Sequence, residues 1–95
     1  MRTNGMQPPL RLADDVWVIR TMFVNVFFVR ADSATRWFLV DTGVRGSADV
    51  IRKAAGQLFG ADVRPFAIVL THGHFDHVGS LRRLADAWNV PVYAH

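Results

Sequence analysis

The hydrophobic and polar positions of the chain fall into two regimes that meet near residue 41. In the first, "VWVIR" (16–20) and "MFVNVFFVR" (22–30) are apolar almost throughout, rich in β-branched and aromatic residues, and closed by arginines. Both predict strands. Runs that are apolar on both faces predict a sheet covered on at least one side and partly on the other. "ADSATR" (31–36) is small and polar and predicts a turn, and "WFLVD" (37–41) predicts the third strand of an antiparallel meander. Ahead of these, residues 1–11 read as a flexible leader, because Pro8 and Pro9 oppose regular structure. Asn25, in the middle of an apolar strand, has no explanation in the pattern.

Beyond "TGVRGS" (42–47) a helical period takes over. Val50, Ile51, Ala54, Ala55, Leu58 and Phe59 fall on one face of a helix over 48–59, with Ser47 placed to cap it and Gly60 to stop it. Gly56 weakens that helix by about 1 kcal/mol relative to alanine. "PFAIVL" (65–70) predicts a short, fully apolar strand. A second amphipathic helix starts at Ser80, with Leu81, Leu84, Ala85 and Trp88 on one stripe, and "VPVYA" (90–94) opens a last strand. The fold class is therefore α/β, order β-β-β-α-β-α-β. The strand–helix–strand unit requires a parallel pair and a right-handed crossover, and both helices belong on one face of the sheet.

Ninety-five residues make one domain with a modest core, yet 51% of them are apolar, with three Trp and seven Phe. More surface is built to be covered than so short a chain covers by itself. The aromatic set Trp17, Phe23, Phe27, Phe28, Trp37 and Phe38 reads as core rather than as a platform for substrate. With no cysteine, thiolate metal sites, disulfides and cysteine nucleophiles are excluded, and a reducing, cytoplasmic location suits the composition. The net charge of +3 is spread as single arginines. The adjacent pairs, Arg52-Lys53 and Arg82-Arg83, sit on predicted helices as solvated faces, which argues against a nucleic-acid surface. The N-terminus has no apolar signal core, and no run approaches the ~18 apolar residues of a membrane span.

The concentrated chemistry is "THGHFDHVGS" (71–80), where His72, His74, Asp76 and His77 lie within six positions after an apolar strand. Three imidazoles and a carboxylate buried without partners would cost several kcal/mol. A divalent cation supplies the missing partner, and this nitrogen and oxygen donor set suits zinc first, with manganese or iron as alternatives. In extended chain His72 and His74 point the same way and can grip one ion; Asp76 and His77, where the chain turns towards the next helix, can face a second. Two such ions can share a hydroxide and clamp an ester or phosphate oxygen. The loop also follows the C-terminal end of a strand, where open α/β sheets place their ligands. His95, a lone histidine, reads as a surface or strand-end residue.

"THGHFDHVGS" resembles the His-x-His-x-Asp-His motif of the metallo-β-lactamase superfamily, including glyoxalase II-like hydrolases, and "LVDTG" (39–43) is similar to that family's upstream Asp-Thr-Gly strand end. The resemblance covers about 12–95 and implies half of an αββα sandwich. It implies that His72 and His74 bind the first metal and that Asp76 and His77 bind the second. It also implies that Asp76 handles a proton of the attacking water and that Asp41 orients the metal loop by hydrogen bonds. The implied activity is hydrolysis of an ester, thioester or lactone carbonyl by metal-activated water, on a small-molecule substrate and without a membrane. The family's domain is about twice this length, and its later His, bridging Asp and last His have no counterpart here. The chain therefore reads as the N-terminal half of such a domain, needing a complementary C-terminal half and weakly active or inactive alone. Four ligands over two ions leave each with two protein donors, where a catalytic zinc usually has three.

Three alternatives compete. A phosphodiesterase or nuclease of the same fold would use the same loop, but the scattered arginines make no basic channel. A non-catalytic fragment would bind metal weakly or not at all. "LVDTGV" in a short chain is also similar to retroviral-type aspartic proteases, which would make Asp41 catalytic. That reading requires an almost all-β chain and leaves two helices and the histidines unexplained.

Overall fold

The structure, a computed structural model, describes residues 8–22, 24–31, 36–44, 46–61, 63–71 and 78–94. Six strands form one sheet in sequence order: β1 (Leu10–Ala13), β2 (Val16–Thr21), β3 (Val24–Arg30), β4 (Trp37–Val40), β5 (Ala67–Leu70) and β6 (Val92–Ala94). The first four make an antiparallel meander, and β4, β5 and β6 run parallel. Helix α1 (Ala48–Phe59) links β4 to β5, and α2 (Val78–Trp88) links β5 to β6. The α/β reading holds, with one strand more than the sequence predicted, so the order is β-β-β-β-α-β-α-β. Leu10 and Arg11, assigned to the leader, pair with Val18 and Trp17 in an exposed edge strand. The two prolines precede this pairing, and at a sheet edge their missing donors are tolerated.

Register explains the core. Trp17 opposes Phe28, Ile19 opposes Val26, Phe28 opposes Leu39, and Leu39 neighbours Ile68, so these side chains share one face. Onto it pack Ala48, Ile51, Ala54 and Ala55 of α1 and Leu84 of α2, in one buried cluster with Trp37. Both helices therefore cover the same face, as expected. Alanines at the α1 contact let that helix come close to the sheet. Gly60 stops α1 as predicted, its N–H bonding the Gly56 carbonyl with φ at 109°. Ser47 does stand before the first helical residue, but its side chain makes no cap hydrogen bond and its backbone is already helical.

At one end of this core the aromatics gather. Trp37 stacks on Phe59 at 4.5 Å, Trp88 meets Trp37 edge-on, and Trp17 meets Phe59 edge-on. Phe28 and Trp37 are core, as the sequence implied. Phe27 and Phe38 are not in that cluster: their parity puts them on the opposite face with Val16, Val18, Val29, Val40 and Val69, all half-buried. No helix of the described chain covers that face. Phe23 lies outside the described residues. Asn25 is exposed on the same outer face, opposite Arg20 beside the β2–β3 hairpin turn. The strand begins later than predicted because Met22 takes a left-handed φ of 62° in that turn.

Between β4 and α1 the chain passes close to the hairpin. Gly43 has φ of 69°, and a Cβ there would collide with Thr21 Oγ1. Both facts demand glycine. Leu39→Ala, at a wholly buried central position, is expected to lower unfolding free energy by about 2–5 kcal/mol. Gly43→Ala is expected to lower it by about 1–3 kcal/mol through backbone strain and the displaced threonine. Both would appear as a lower urea midpoint at unchanged slope.

Candidate metal centre

Strands β4 and β5 are parallel neighbours, with Val40 beside Val69, so their C-terminal ends lie together. At that end Asp41 N–H donates to the Val69 carbonyl at 2.8 Å, and the chain then turns away with Asp41 at φ 67°. Aspartate tolerates this left-handed conformation better than most residues, at some cost in strain. The turn aims its carboxylate across to the neighbouring strand. Oδ1 accepts the Thr71 backbone N–H at 2.9 Å, and Oδ2 accepts the Thr71 hydroxyl at 2.7 Å. Asp41 is buried, and these two hydrogen bonds satisfy a carboxyl group that burial would otherwise leave without partners. It does not close on its own backbone as an ordinary turn aspartate would.

Thr71 is the residue immediately before the donor-rich segment. His72, His74, Asp76 and His77, named from the sequence as the metal ligands with Asp76 also handling a proton, lie outside the described residues, as does His95. Among the described residues no three His, Cys, Asp or Glu side chains gather as a metal site. The structure thus places the predicted orienting residue, Asp41, and locates where the donor segment departs and returns: from Thr71 at the end of β5 to Val78 at the start of α2. Thr42, beside Asp41, is wholly buried, and its hydroxyl has no hydrogen-bond partner among the described residues. The buried indole N–H of Trp37, in the aromatic cluster at the other end of the sheet, likewise has no partner among the described residues, so an unsatisfied polar atom does not by itself mark the site.

Two hydroxyls that the sequence reading left out of the site also act here. Thr21 Oγ1 accepts Val44 N–H at 3.3 Å and donates to the Val24 carbonyl at 3.2 Å. Ser80 Oγ donates to the Val44 carbonyl at 2.8 Å and accepts Ser47 N–H at 3.1 Å. Ser80 was expected to open its helix; it lies in the third position of α2. The signal was available, since Ser80 falls four residues before Leu84 on the buried stripe and is a polar residue on an apolar face.

An open groove of about 510 Å³ between the helices is lined by Arg52, Lys53, Gly60, Arg64 and Trp88 among others. It runs along α1 from Asp49 to Gly60 and reaches the C-terminal end of α2 at Trp88. The paired basic residues of both helices are exposed, as solvated faces should be. No described helix is long and apolar enough to cross a membrane.

Comparison with known proteins agrees with this arrangement. The probable metallo-hydrolase YflN of Bacillus subtilis (strain 168) is 42% identical over 84 residues, covering 87% of this chain and 32% of the relative. The chain thus spans about a third of that relative's length. The Rm3 metallo-beta-lactamase superposes with a TM-score of 0.73 at 28% identity, over 90% of this chain and 31% of that one. The class B3 di-zinc metallo-beta-lactamase LRA-12, from an Alaskan soil metagenome, shares the fold with a TM-score of 0.76 at 19% identity, over 97% of this chain and 35% of that one. The family model of the metallo-beta-lactamase superfamily matches residues 19–95, and the chain belongs to that superfamily, as its N-terminal portion.

Proposed function

We propose that this chain carries the metal loop of a hydrolase whose His72 and His74 hold one divalent ion and whose Asp76 and His77 hold a second. The observation that carries the reading is the grip of buried Asp41 on Thr71 at the head of the donor segment. A carboxylate taken out of water and spent on holding one loop residue by two bonds is a device for fixing what that loop presents. The donor chemistry fits: imidazole and carboxylate without thiolate suit zinc, and manganese or iron after it. The di-zinc content named for LRA-12 supports zinc for this chain as well. When bound, such ions would acidify water and supply positive charge to an oxyanion.

The roles of the chain's own residues follow. Asp41 fixes Thr71 and with it the departure of the loop. Asp76 takes or returns a proton at the reacting water. The substrate class we favour is a small ester, thioester or lactone, because the basic residues are scattered along the sequence in runs no longer than two. A complementary half is needed to complete each ion's ligands. The apolar outer face of the sheet, bearing Phe27, Val29, Phe38 and Val40, is where further chain of the same protein would pack. Absence of cysteine supports a reducing compartment such as the cytoplasm.

In the complete polypeptide that carries this chain, zinc loading should give about two ions per molecule by metal analysis, with hydrolysis of thioester or lactone substrates. His72→Ala and His74→Ala should lower metal content and reduce turnover by more than the roughly 10–100-fold that outer-shell partners cost. Failure of the zinc-loaded protein to retain any ion would sink the proposal. Preference for a nucleic-acid substrate would sink only the choice of substrate. Asp41→Asn turns one of the two acceptor oxygens into an amide N–H₂ that faces a Thr71 donor, so it should weaken zinc affinity roughly 10–100-fold. It should also lower stability by about 1–3 kcal/mol; equilibrium chelator competition and urea unfolding measure the two effects separately.

A further inference from the structure

We infer that Ser80 is a positioning residue of the metal loop, and that Ser80 and Asp41 pin the two ends of the donor segment 72–77 to the same short stretch of chain. The inference rests on the metal reading of that segment. At the leading end Asp41 holds Thr71 through both carboxylate oxygens. At the trailing end Ser80, wholly buried in the first turn of α2, holds the Val44 carbonyl and the Ser47 N–H. Asp41, Val44 and Ser47 all belong to the passage from β4 into α1. The residues that flank the donor segment, Thr71 before it and Ser80 after it, are therefore held by one platform.

That platform is itself fixed. Thr21 holds Val44 N–H and the Val24 carbonyl, tying it to the β2–β3 hairpin, and Gly43 lies too close to Thr21 for any side chain. The Ser80 hydroxyl has a single proton, and that proton goes to Val44. A serine inside a helix ordinarily bonds back to the carbonyl four residues earlier. Here it reaches 36 residues along the chain instead. Its position on the stripe of Leu84 and Trp88 would suit an alanine for packing alone. What the hydroxyl adds is registration of the helix start against the platform. Metal sites tolerate errors of only about 0.2 Å in ligand distance, and His77 lies three residues before this anchor, Asp76 four.

The test uses zinc alone, titrated by chelator competition into the complete polypeptide carrying this chain, alongside melting of the metal-free form. Ser80→Ala should weaken zinc binding roughly 10–100-fold. Leu84→Ala, one turn further on the same buried face, should lower the melting temperature at least as much while leaving zinc affinity within about twofold, because it removes packing and no anchor. Equal zinc affinity in Ser80→Ala and the parent, or equal losses in Ser80→Ala and Leu84→Ala, would overturn the inference. If Ser80→Ala does not fold, Ser80→Gly removes the hydroxyl without adding bulk or a zinc ligand, and parent-like affinity in that variant would overturn it equally. A parent protein that binds no zinc would instead bring down the metal reading, which the separate behaviour of the variants distinguishes.

Discussion

The bidentate hold of Asp41 on Thr71 is the interaction to which the rest of the site is referred. It requires the C-terminal ends of β4 and β5 to lie side by side, which only a parallel pair provides, in the register that sets Val40 beside Val69. That register requires Leu39 and Ile68 to share the covered face, and hence the helices above them. The left-handed backbone at Asp41 ends the strand and aims the carboxylate in one step. A residue of ordinary conformation would continue the strand and point elsewhere.

The molecule separates what stabilises it from what it presents. The aromatic cluster and the helix C-termini lie at one end of the sheet. Asp41, Thr71, Ser80 and the hairpin turn lie at the other, joined by hydrogen bonds rather than by apolar contacts. Hydrogen bonds of this kind contribute about 1 kcal/mol each to stability, but they fix direction, which packing does not. Among the described residues, left-handed backbone and unpartnered buried polar atoms occur at both ends: φ of 62° at Met22 and 67° at Asp41 with the Thr42 hydroxyl at one, and φ of 54° at Asn89 with the Trp37 indole N–H at the other.

Much of this was legible in the sequence. Both helices, five of the six strands and the stop at Gly60 followed from hydrophobic period and from glycine, because burial on one face leaves that mark. Asp41 was singled out only through a three-residue strand end, and its hold on Thr71 was not legible, since nothing local announces a partner thirty positions away. The edge strand at Leu10–Ala13 was missed because an exposed edge carries no burial signal. Ser47 looked like a helix cap from its neighbours, yet its N–H is shared with Ser80, and that depends on tertiary packing. Phe27 and Phe38 were read as core because composition cannot separate two apolar faces; strand parity does so only once register is known.

The placement of the three tryptophans has an optical consequence. Trp17, Trp37 and Trp88 all belong to the cluster around Phe59, away from the strand end where Thr71 sits. Intrinsic emission of this chain is thus a gauge of whether the helices are docked on the sheet. It is a poor gauge of events confined to the strand end at Thr71, so a silent fluorescence titration would carry no information about changes there.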